Sequence, residues 1–392
     1  FFGEASPSTA LILSFLTFAA GFIARPIGGI IFGHFGDRIG RKKTLVTALI
    51  LMGVSSTLIG LLPTYAMIGV TAPILLTTLR FAQGIAIGGQ WGGAMLLVTE
   101  SAPSNQRGYY GAFAQAGAPA GVILANLAFI ITSASVSDES FLAWGWRIPF
   151  LASALLIAIS MYIQLNLEDT KAFKELQSYK ENHLKDNNLN VTSLKKSPII
   201  EAIKKYPKRI ILAAGAFLSI QVTFYILIAF MLVYGVSDTN LSRADILTAI
   251  LIASAIQIPV QFVFASYSDR HGRKGIFMLG AVLTALWAFA IFPLVDTGSF
   301  WLTVLAITGG LVFLAMMYGP QAAFFTELFT TEVRYSGATL GYQFGAIAGG
   351  AFAPSIAAFL WTEYDIVWVS AYIAFASLLT LLSVMTLTET FQ

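Results

Sequence analysis

The sequence contains no cysteine and very little charge. Only 11% of its 392 residues are Asp, Glu, Lys or Arg, whereas 57% are hydrophobic. The absence of cysteine excludes disulfides, thiol chemistry and cysteine-based metal sites. Soluble domains carry about 25% charged residues, so the deficit indicates a membrane protein. The small net charge of +3 gives no reason to expect a nucleic-acid partner.

The patterns of common enzyme and metal sites are also missing from the sequence. Its three histidines have no metal-ligand spacing, and there is no phosphate-binding Gly-rich loop for ATP. No Ser/His/Asp group or pair of carboxylates has the arrangement that catalysis requires. The sequence therefore predicts no metal, no cofactor and no enzymatic activity.

Long apolar runs dominate what is present. We count 11 segments of about the length that crosses a bilayer, five before a polar insert and six after it. This predicts an all-α membrane protein with an N-terminal half at residues 1–166, a loop at 167–207 and a C-terminal half at 208–392. The end of the loop, "SPIIEAIKKYPKR", has the pattern of a short amphipathic helix at the membrane surface.

The positions of the basic residues predict the orientation in the membrane. All 23 Lys and Arg residues except Arg25, Arg80, Arg147 and Arg243 fall on the side that holds the loop at 167–207. Because cations near membrane segments are retained on the cytoplasmic side, this side is the cytoplasm.

Two phrases occur twice, in the same order. "GHFGDRIGRKK" begins at Gly33, and "ASYSDRHGRKG" begins at Ala265, 232 positions later. "TESAPSNQRGYYGA" begins at Thr99, and "TELFTTEVRYSGAT" begins at Thr326, 227 positions later. Such an internal repeat predicts two pseudo-symmetric halves. Parallel halves joined by a cytoplasmic loop are typical of secondary transporters, whose substrate site lies between the halves near mid-membrane.

The two halves differ in the number of segments that come before the repeated phrase. The phrase follows one apolar segment in the first half and two in the second. Symmetry predicts six helices in each half. We therefore expect 11 visible helices, numbers 2–6 and 7–12, with a first helix before residue 1 and "FFGEASPSTA" as the external loop after that helix.

These phrases resemble the major facilitator superfamily. "GHFGDRIGRKKTL" fits the family's loop motif G-x-x-x-D-R-x-G-R-K/R, and "RFAQGIAIGG" fits its fourth-helix motif R-x-x-Q-G. The strings "GGQWGGAMLLVTESAP", "WGWRIPF" and "TEVRYSGATLGYQ" look like the metabolite:proton symporters, the group of shikimate, α-ketoglutarate, citrate and osmolyte carriers. The resemblance covers essentially the whole chain, and it implies a major facilitator fold but does not identify one substrate.

The resemblance also implies that the charged loops latch the two halves together when the cytoplasmic side is shut. Fixed Asp and Gly positions in both copies favour this role over a simple topology signal. The paired Glu and Arg residues of the second phrase extend the network at the ends of two helices. The predicted gating residues are Asp37, Arg38, Gly40, Arg41, Glu100, Arg107, Asp269, Arg270, Arg273, Glu327 and Arg334.

Arg80 is the principal candidate for substrate binding. A cation within an apolar helix costs about 2.5–3.5 kcal/mol, and so needs a partner or a wet cavity. Because none of the 20 acidic residues lies deep in a visible segment, its partner is either the absent helix or a substrate carboxylate. Arg25 precedes Pro26, a helix-bending residue, and both a structural and a functional role remain open for it.

Polar and aromatic residues within the apolar segments complete the predicted site. Related symporters have Glu where this chain has Gln90, and an amide carries no proton, although it can bind a substrate. Trp91 is either a cavity wall or a packing residue. By repeat, the tyrosines and Gln343 lie on helices that line the cavity in the superfamily. The predicted substrate-binding residues are Arg80, Gln83, Gln90, Trp91, Gln115, Tyr225, Tyr318, Tyr342 and Gln343.

The sequence thus predicts a monomeric secondary transporter in the bacterial cytoplasmic membrane, surrounded by membrane lipid. It moves a small organic solute, expected to be a carboxylate, by alternating access and together with protons. One alternative is an uncoupled facilitator or exchanger of a zwitterionic osmolyte. Another, of a different class, is a membrane-embedded sensor or enzyme on a transporter scaffold.

Overall fold

The computed structural model describes residues 6–39, 41–166, 198–330 and 334–390. These residues form helices joined by short connections, and they include no β-strand. The prediction of an all-α membrane protein is confirmed. The loop at 167–207 lies largely outside the described residues, except for its last part.

The first half contributes five long helices. A short bent element, Asp138–Gly145, precedes the fifth and makes an angle of 53° with it. The first of these helices contains Pro26, which has no backbone N–H to donate to the helix. The helices are α1, Pro7–Ile39; α2, Arg41–Leu61; α3, Thr71–Ser101; α4, Ser104–Ser135; and α5, Arg147–Asn166.

The second half begins with the amphipathic helix predicted at the end of the loop and continues with six long helices. Two of these contain a wider π-helical turn, at Ile226–Phe230 and at Ala346–Ala351. The helices are α6, Pro198–Lys205; α7, Pro207–Asp238; α8, Arg243–His271; α9, Arg273–Asp296; α10, Phe300–Glu327; α11, Arg334–Gly345 continued by Ala353–Glu363; and α12, Ile366–Thr386.

Most of the long helices can cross a membrane by their length and composition. Among the described residues, eight helices are long and apolar enough, and the bent pair that ends in α5 makes a ninth. The apolar part of α2 is the shorter segment Val46–Leu61. Helix α3 has 31 residues, about 46 Å, which exceeds the roughly 30 Å hydrocarbon core. The chain is therefore a multi-pass membrane protein.

The packing of the helices repeats between the halves. Helix α1 packs on α3 as α8 packs on α10, and α2 packs on α5 as α9 packs on α12. The contacts between halves obey the same symmetry, because α4 packs on α8 and α11 packs on α1. Helix α7, which packs on α11 and α12, has no counterpart among the described residues of the first half.

Glycines bring α1 and α3 into backbone contact. A Cβ atom built on Gly84 would lie 1.9 Å from the carbonyl oxygen of Gly21, and one built on Gly88 would lie 1.9 Å from that of Arg25. On α1, a Cβ on Gly28 would lie 2.0 Å from the carbonyl oxygen of Ile85. Small residues are the usual means of close approach between membrane helices. The motif "RFAQGIAIGG" thus has a packing role, and it fixes the positions of Arg25 and Arg80.

We predict that Gly84→Ala destabilises the protein, because the added methyl group collides with rigid backbone. Overpacking of this kind costs about 1–3 kcal/mol. The expected result is a lower midpoint of thermal unfolding for the detergent-purified protein. Gly121→Ala on α4 is the matched control, since nothing lies within 4 Å of its Cβ position. An equal midpoint for the two variants would contradict the packing role.

Candidate functional site

Arg25 lies near the middle of α1, on the face that meets the second half. Its guanidinium carbon is 3.8 Å from the centre of the Phe22 ring, a close cation–π contact. The side chain is only 8% exposed, and its Nε atom has no hydrogen-bond partner. Among the described residues no carboxylate pairs with it. In the described part of the chain, this buried cation near the middle of α1 therefore has an aromatic neighbour and no anionic one.

Aromatic rings of both halves surround this arginine. The ring centres of Phe18 and Phe22 lie 5.4 and 5.1 Å from that of Tyr225, with edge-on geometry. Tyr225 directly precedes the π-helical turn of α7. On the π-helical turn of α11, a Cβ built on Gly350 would lie 2.8 Å from Phe22 and 3.0 Å from Tyr225. The glycine thus leaves room for the rings at the meeting point of α1, α7 and α11.

Tyr318 of α10 and Tyr342 of α11 complete the cluster. Arg25 lies close enough to both for electrostatic interaction, as does Tyr225. The two tyrosines are 9% and 8% exposed. Tyr342 also packs on Phe217 of α7, with ring centres 4.3 Å apart. An arginine of the first half therefore lies near Tyr318 and Tyr342 of the second, while Tyr225 joins the group through Phe22. We call Arg25, Phe22, Tyr225, Tyr318 and Tyr342 the central cluster.

The chemistry of the central cluster suits a small carboxylate. A guanidinium group offers its donors in a planar fork that matches the two oxygens of a carboxylate. Tyrosine hydroxyls donate or accept single hydrogen bonds, and the ring faces attract cationic groups. The arrangement has no nucleophile next to a base and therefore has the chemistry of binding rather than of catalysis.

Arg80 lies outside the central cluster, although the sequence made it the principal candidate. It is half-buried on α3, nearer the external end, and donates a 3.1 Å hydrogen bond to Gln83 Oε1. Gln83 in turn donates a 2.7 Å bond to Ser56 Oγ of α2. The guanidinium of Arg80 is 5.8 Å from the ring centre of Phe18, which connects it to the cluster. No acidic side chain in the described part of the chain pairs with Arg80.

The other predicted binding residues occupy different places. Gln115 of α4 bonds to Gln321 Oε1 at 2.6 Å and to the carbonyl of Tyr318 at 3.4 Å, across the seam between the halves. Gln90 Nε2 and both polar atoms of the Gln343 side chain are buried without a hydrogen-bond partner. The side chain of Trp91 lies outside the described residues. Buried amide groups without a partner are uncommon in folded proteins.

Phe18 and Phe22 have a place in the site that the sequence did not indicate. They share one face of α1 with Arg25, at the i, i+4 and i+7 spacing that places residues on one side of a helix. That spacing was the signal available in the sequence. It is weak, because phenylalanine is frequent throughout this chain, with 31 occurrences.

At the cytoplasmic end, Asp269 joins the two halves. Its carboxylate accepts hydrogen bonds from the backbone N–H groups of Gly108 and Tyr109, both at 2.8 Å. These donors belong to the first turn of α4, where the helix dipole favours an anion. Asp269 also pairs with Arg273 at 2.6 Å. The carboxylate is buried, so the contact is a charge-assisted bond shielded from water.

Arg273 extends this contact through the second half. It is 2% exposed and pairs with Glu327 of α10 at 3.2 Å. Glu327 also accepts a 2.7 Å bond from the Thr390 hydroxyl. The carboxylate of Glu389 accepts bonds from the N–H groups of Arg273 and Lys274, both at 3.0 Å, and so caps α9. We call Asp269, Arg273, Glu327 and the N-terminus of α4 the cytoplasmic latch.

Three other predicted gating residues lie at the edge of the latch or outside it. Arg270 is exposed and has no ion-pair partner in the described part of the chain. Arg334 donates to the carbonyl of Phe329 at 3.3 Å, and Arg107 begins the helical part of α4. The remaining gating predictions fall on side chains outside the described residues, namely Asp37, Arg38, Gly40, Arg41 and Glu100.

Helices α4 and α8 are hydrogen-bonded along their length. Besides the latch, Gln261 Nε2 bonds to the carbonyl of Ala112 at 3.0 Å. Nearer the external side, Asn126 Nδ2 bonds to the carbonyl of Leu247 at 3.3 Å. The two halves are thus in contact at the cytoplasmic end and again towards the outside, with the central cluster between these levels.

Comparison with known proteins decides the family. The family model described as "Major Facilitator Superfamily" matches residues 4–339 and, in a second overlapping match, residues 237–390. The chain belongs to the major facilitator superfamily. It is therefore a membrane transporter rather than an enzyme, and the predicted fold class is confirmed.

Curated relatives and a solved structure agree with this assignment. The chain is 38% identical to the inner membrane metabolite transport protein YhjE of Escherichia coli, over all of this chain and 87% of that protein. It is 38% identical to the shikimate transporter of Escherichia coli, over 95% of this chain and 83% of that protein. The proton:xylose symporter XylE bound to 6-bromo-6-deoxy-D-glucose has the same fold, with a TM-score of 0.73 at 18% identity, over 99% of this chain and 89% of that one.

We predict that Asp269→Asn opens the cytoplasmic side, because the amide loses the ion pair to Arg273 and weakens the bonds from α4. Since the chain has no cysteine, a single Ala322→Cys substitution is a unique reporter. Ala322 is 1% exposed and faces Gly111 of α4 across the seam. Loss of a charge-assisted bond changes an equilibrium about tenfold or more, so labelling of this cysteine by a water-soluble maleimide should accelerate by that factor.

Asp245→Asn is the control for the labelling experiment. Asp245 is another aspartate of α8, but it caps the external end of that helix with Ser242. Its substitution should leave the labelling rate of the Ala322→Cys protein unchanged. Equal labelling in the Asp269→Asn variant and the parent would show that Asp269 does not hold the cytoplasmic side shut.

Proposed function

We propose that this major facilitator transporter moves a small organic carboxylate by alternating access, with Arg25 as the residue that binds the carboxylate. The observation that carries this proposal is the buried guanidinium of Arg25, which lies on the Phe22 ring and within electrostatic range of Tyr318 and Tyr342 of the opposite half, and which has no anionic partner among the described residues. Burying an unpaired cation is costly, and a substrate carboxylate removes that cost.

The position of the cluster links substrate binding to closure. Arg25 belongs to the first half, whereas Tyr225, Tyr318 and Tyr342 belong to the second. A carboxylate held by the arginine and by tyrosine hydroxyls makes its full set of bonds only when the halves are together. Substrate therefore favours the closed arrangement over either open one, which alternating access requires.

Arg80 has a supporting role in this proposal. Its bonds to Gln83 and, through Gln83, to Ser56 hold α3 against α2, and its guanidinium approaches Phe18 at the external edge of the cluster. From that position Arg80 attracts an anion that enters from the outside. The closest contacts with the anion are made by Arg25.

Proton symport follows from the energetics of moving an anion inward. Each negative charge that enters against an inside-negative potential costs about 2.3 kcal/mol per 100 mV. A proton carried with a monocarboxylate cancels that charge and adds the driving force of the pH gradient. Among the described residues, no carboxylate lies beside Arg25, so the proton carrier is not assigned.

An uncoupled facilitator or exchanger of a zwitterionic osmolyte is the second candidate. The rings of Phe18, Phe22 and Tyr225 favour it, because aromatic faces bind quaternary ammonium groups. A zwitterion carries no net charge and therefore needs no proton to balance it. Both candidates use Arg25 for the carboxylate and differ in the second group that is recognised.

Arg25→Gln is expected to abolish substrate recognition. Truncating one partner of a buried charged pair costs about 2–5 kcal/mol, so uptake at low substrate concentration should fall at least about thirtyfold. The measurement is uptake of labelled solutes into proteoliposomes, with the substrate-induced thermal shift of the purified protein as a readout of binding. The solutes are shikimate-like hydroxy acids, dicarboxylates and betaines. Arg25→Lys should restore part of the binding, because it keeps the charge without the planar fork.

Arg243→Gln is the matched control, since it removes an exposed arginine at the external start of α8. It should leave uptake and the thermal shift unchanged. The role of Arg25 is wrong if Arg25→Gln still transports and is still stabilised by the same solute as the parent protein.

A pH gradient separates the two candidate functions. Uptake into proteoliposomes is expected to increase when the outside is made acidic, and to accumulate the solute above its external concentration. Unchanged initial rates with and without the gradient, at matched membrane potential, would overturn symport and favour the uncoupled facilitator or exchanger.

A further inference from the structure

An open groove of about 400 Å³ lies on the outer surface between α4 and α8, next to the cytoplasmic latch. Helix α4 contributes Tyr109, whose backbone N–H bonds to Asp269. All other lining residues come from one side of α8. The groove therefore spans the seam between the two halves, but it faces the surrounding membrane and not the central cluster. Its lining residues are Tyr109, Phe262, Val263, Ser266, Tyr267, Arg270 and His271.

The lining residues of α8 form a stripe whose polarity changes along the helix. Phe262 and Val263 come first, Ser266 and Tyr267 one turn later, and Arg270 and His271 after another turn. Residues four apart share a face of a helix, so the three pairs point into the same groove. Over about 12 Å the surface changes from hydrocarbon through hydroxyl groups to the guanidinium of Arg270 and the imidazole of His271. A phospholipid shows the same order from acyl chain through glycerol ester to phosphate.

The cationic end of the groove is not neutralised by the protein. Arg270 and His271 are both exposed, and Arg270 has no ion-pair partner in the described part of the chain. The neighbouring acid, Asp269, is buried and directed inward, where it is bonded to Gly108, Tyr109 and Arg273. The groove thus presents the guanidinium of Arg270 at the end that lies in the headgroup region of the cytoplasmic leaflet, with the His271 ring beside it.

The aromatic residues give the groove a fixed shape. Tyr109 and Phe262 have ring centres 5.6 Å apart across the two helices. The His271 ring stacks on Tyr267 with centres 4.2 Å apart and planes 14° from parallel. His271 Nδ1 lies 3.2 Å from the carbonyl oxygen of Tyr267. Stacking on Tyr267 therefore fixes the position of the His271 ring at this end of the groove.

We propose that this groove binds an anionic phospholipid of the cytoplasmic leaflet, with its phosphate at Arg270 and His271 and an acyl chain against Phe262 and Val263. Cationic residues near the surface of a membrane attract anionic lipids by about 1 kcal/mol each, and a zwitterionic headgroup gains much less. The site is separate from the substrate site, and it does not depend on the proposed function.

A lipid in this groove contacts both halves beside the latch. When the cytoplasmic side opens, the N-terminus of α4 must leave Asp269, and the wall formed by Tyr109 moves away from Phe262. The bound lipid consequently favours the arrangement with the cytoplasmic side shut, since only that arrangement keeps the groove intact.

The test is retention of lipid by the purified protein, measured by native mass spectrometry during titration with dioleoyl phosphatidylglycerol or dioleoyl phosphatidylcholine. The parent protein should retain phosphatidylglycerol more strongly. The double variant Arg270→Gln/His271→Gln should weaken the retention of the first phosphatidylglycerol about fivefold or more, while its phosphatidylcholine retention stays unchanged. Ser266→Trp, which fills the groove without removing charge, should weaken it as well.

Lys204→Gln/Lys205→Gln is the matched control, because it removes two exposed cations of α6 on the same side of the membrane. If this pair weakens phosphatidylglycerol retention as much as the groove variants do, binding is a general effect of charge and the site is refuted. Equal retention of the two lipids by the parent protein, or full retention by the Ser266→Trp variant, would refute it too.

Discussion

The guanidinium of Arg25 imposes the constraint on which the centre of this transporter depends. A cation near mid-membrane costs several kcal/mol unless its surroundings replace water. Here the replacement is partial, since Phe22 covers one face and tyrosines of the other half lie within electrostatic range. These tyrosines belong to helices of the second half, so they lie near Arg25 only when the two halves are together. The charge of the first half thus depends on the second half for part of its surroundings.

Placing that cation requires unusually close helices. Without side chains at Gly21, Gly28, Gly84 and Gly88, the backbones of α1 and α3 touch, so the rotation and depth of α1 are fixed by contacts with little freedom. A glycine has a similar effect in α11, where the absence of a side chain at Gly350 leaves space for Phe22 and Tyr225. Close helix contacts at glycines therefore hold the helices in fixed positions. The few polar side chains of the centre are positioned by these helices rather than by flexible loops.

The fold could be predicted from the sequence, because a repeated charged phrase and long apolar runs can be recognised without any knowledge of how the helices pack. It also indicated Tyr225, Tyr318 and Tyr342, since the repeat places them on particular helices. It made Arg80 the principal candidate for substrate binding and left the role of Arg25 open. The position of each arginine along its apolar segment indicates how deep it lies in the membrane. The residues that each arginine faces depend on the rotation of its helix, which the sequence does not show. Lipid and protein interior are equally apolar, so α1 has no distinct hydrophobic face from which to infer that rotation.

The proposed latch and the proposed substrate site stabilise the same shut arrangement of the two halves. A substrate that favours the shut arrangement supplies no free energy for opening, so opening requires that the bonds of the latch can be exchanged for water. Asp269 is bound by two backbone N–H groups and one arginine, each replaceable by water when the cytoplasmic side opens. Because its bonds are exchangeable, this contact can release when the cytoplasmic side opens, as the proposed alternating access requires.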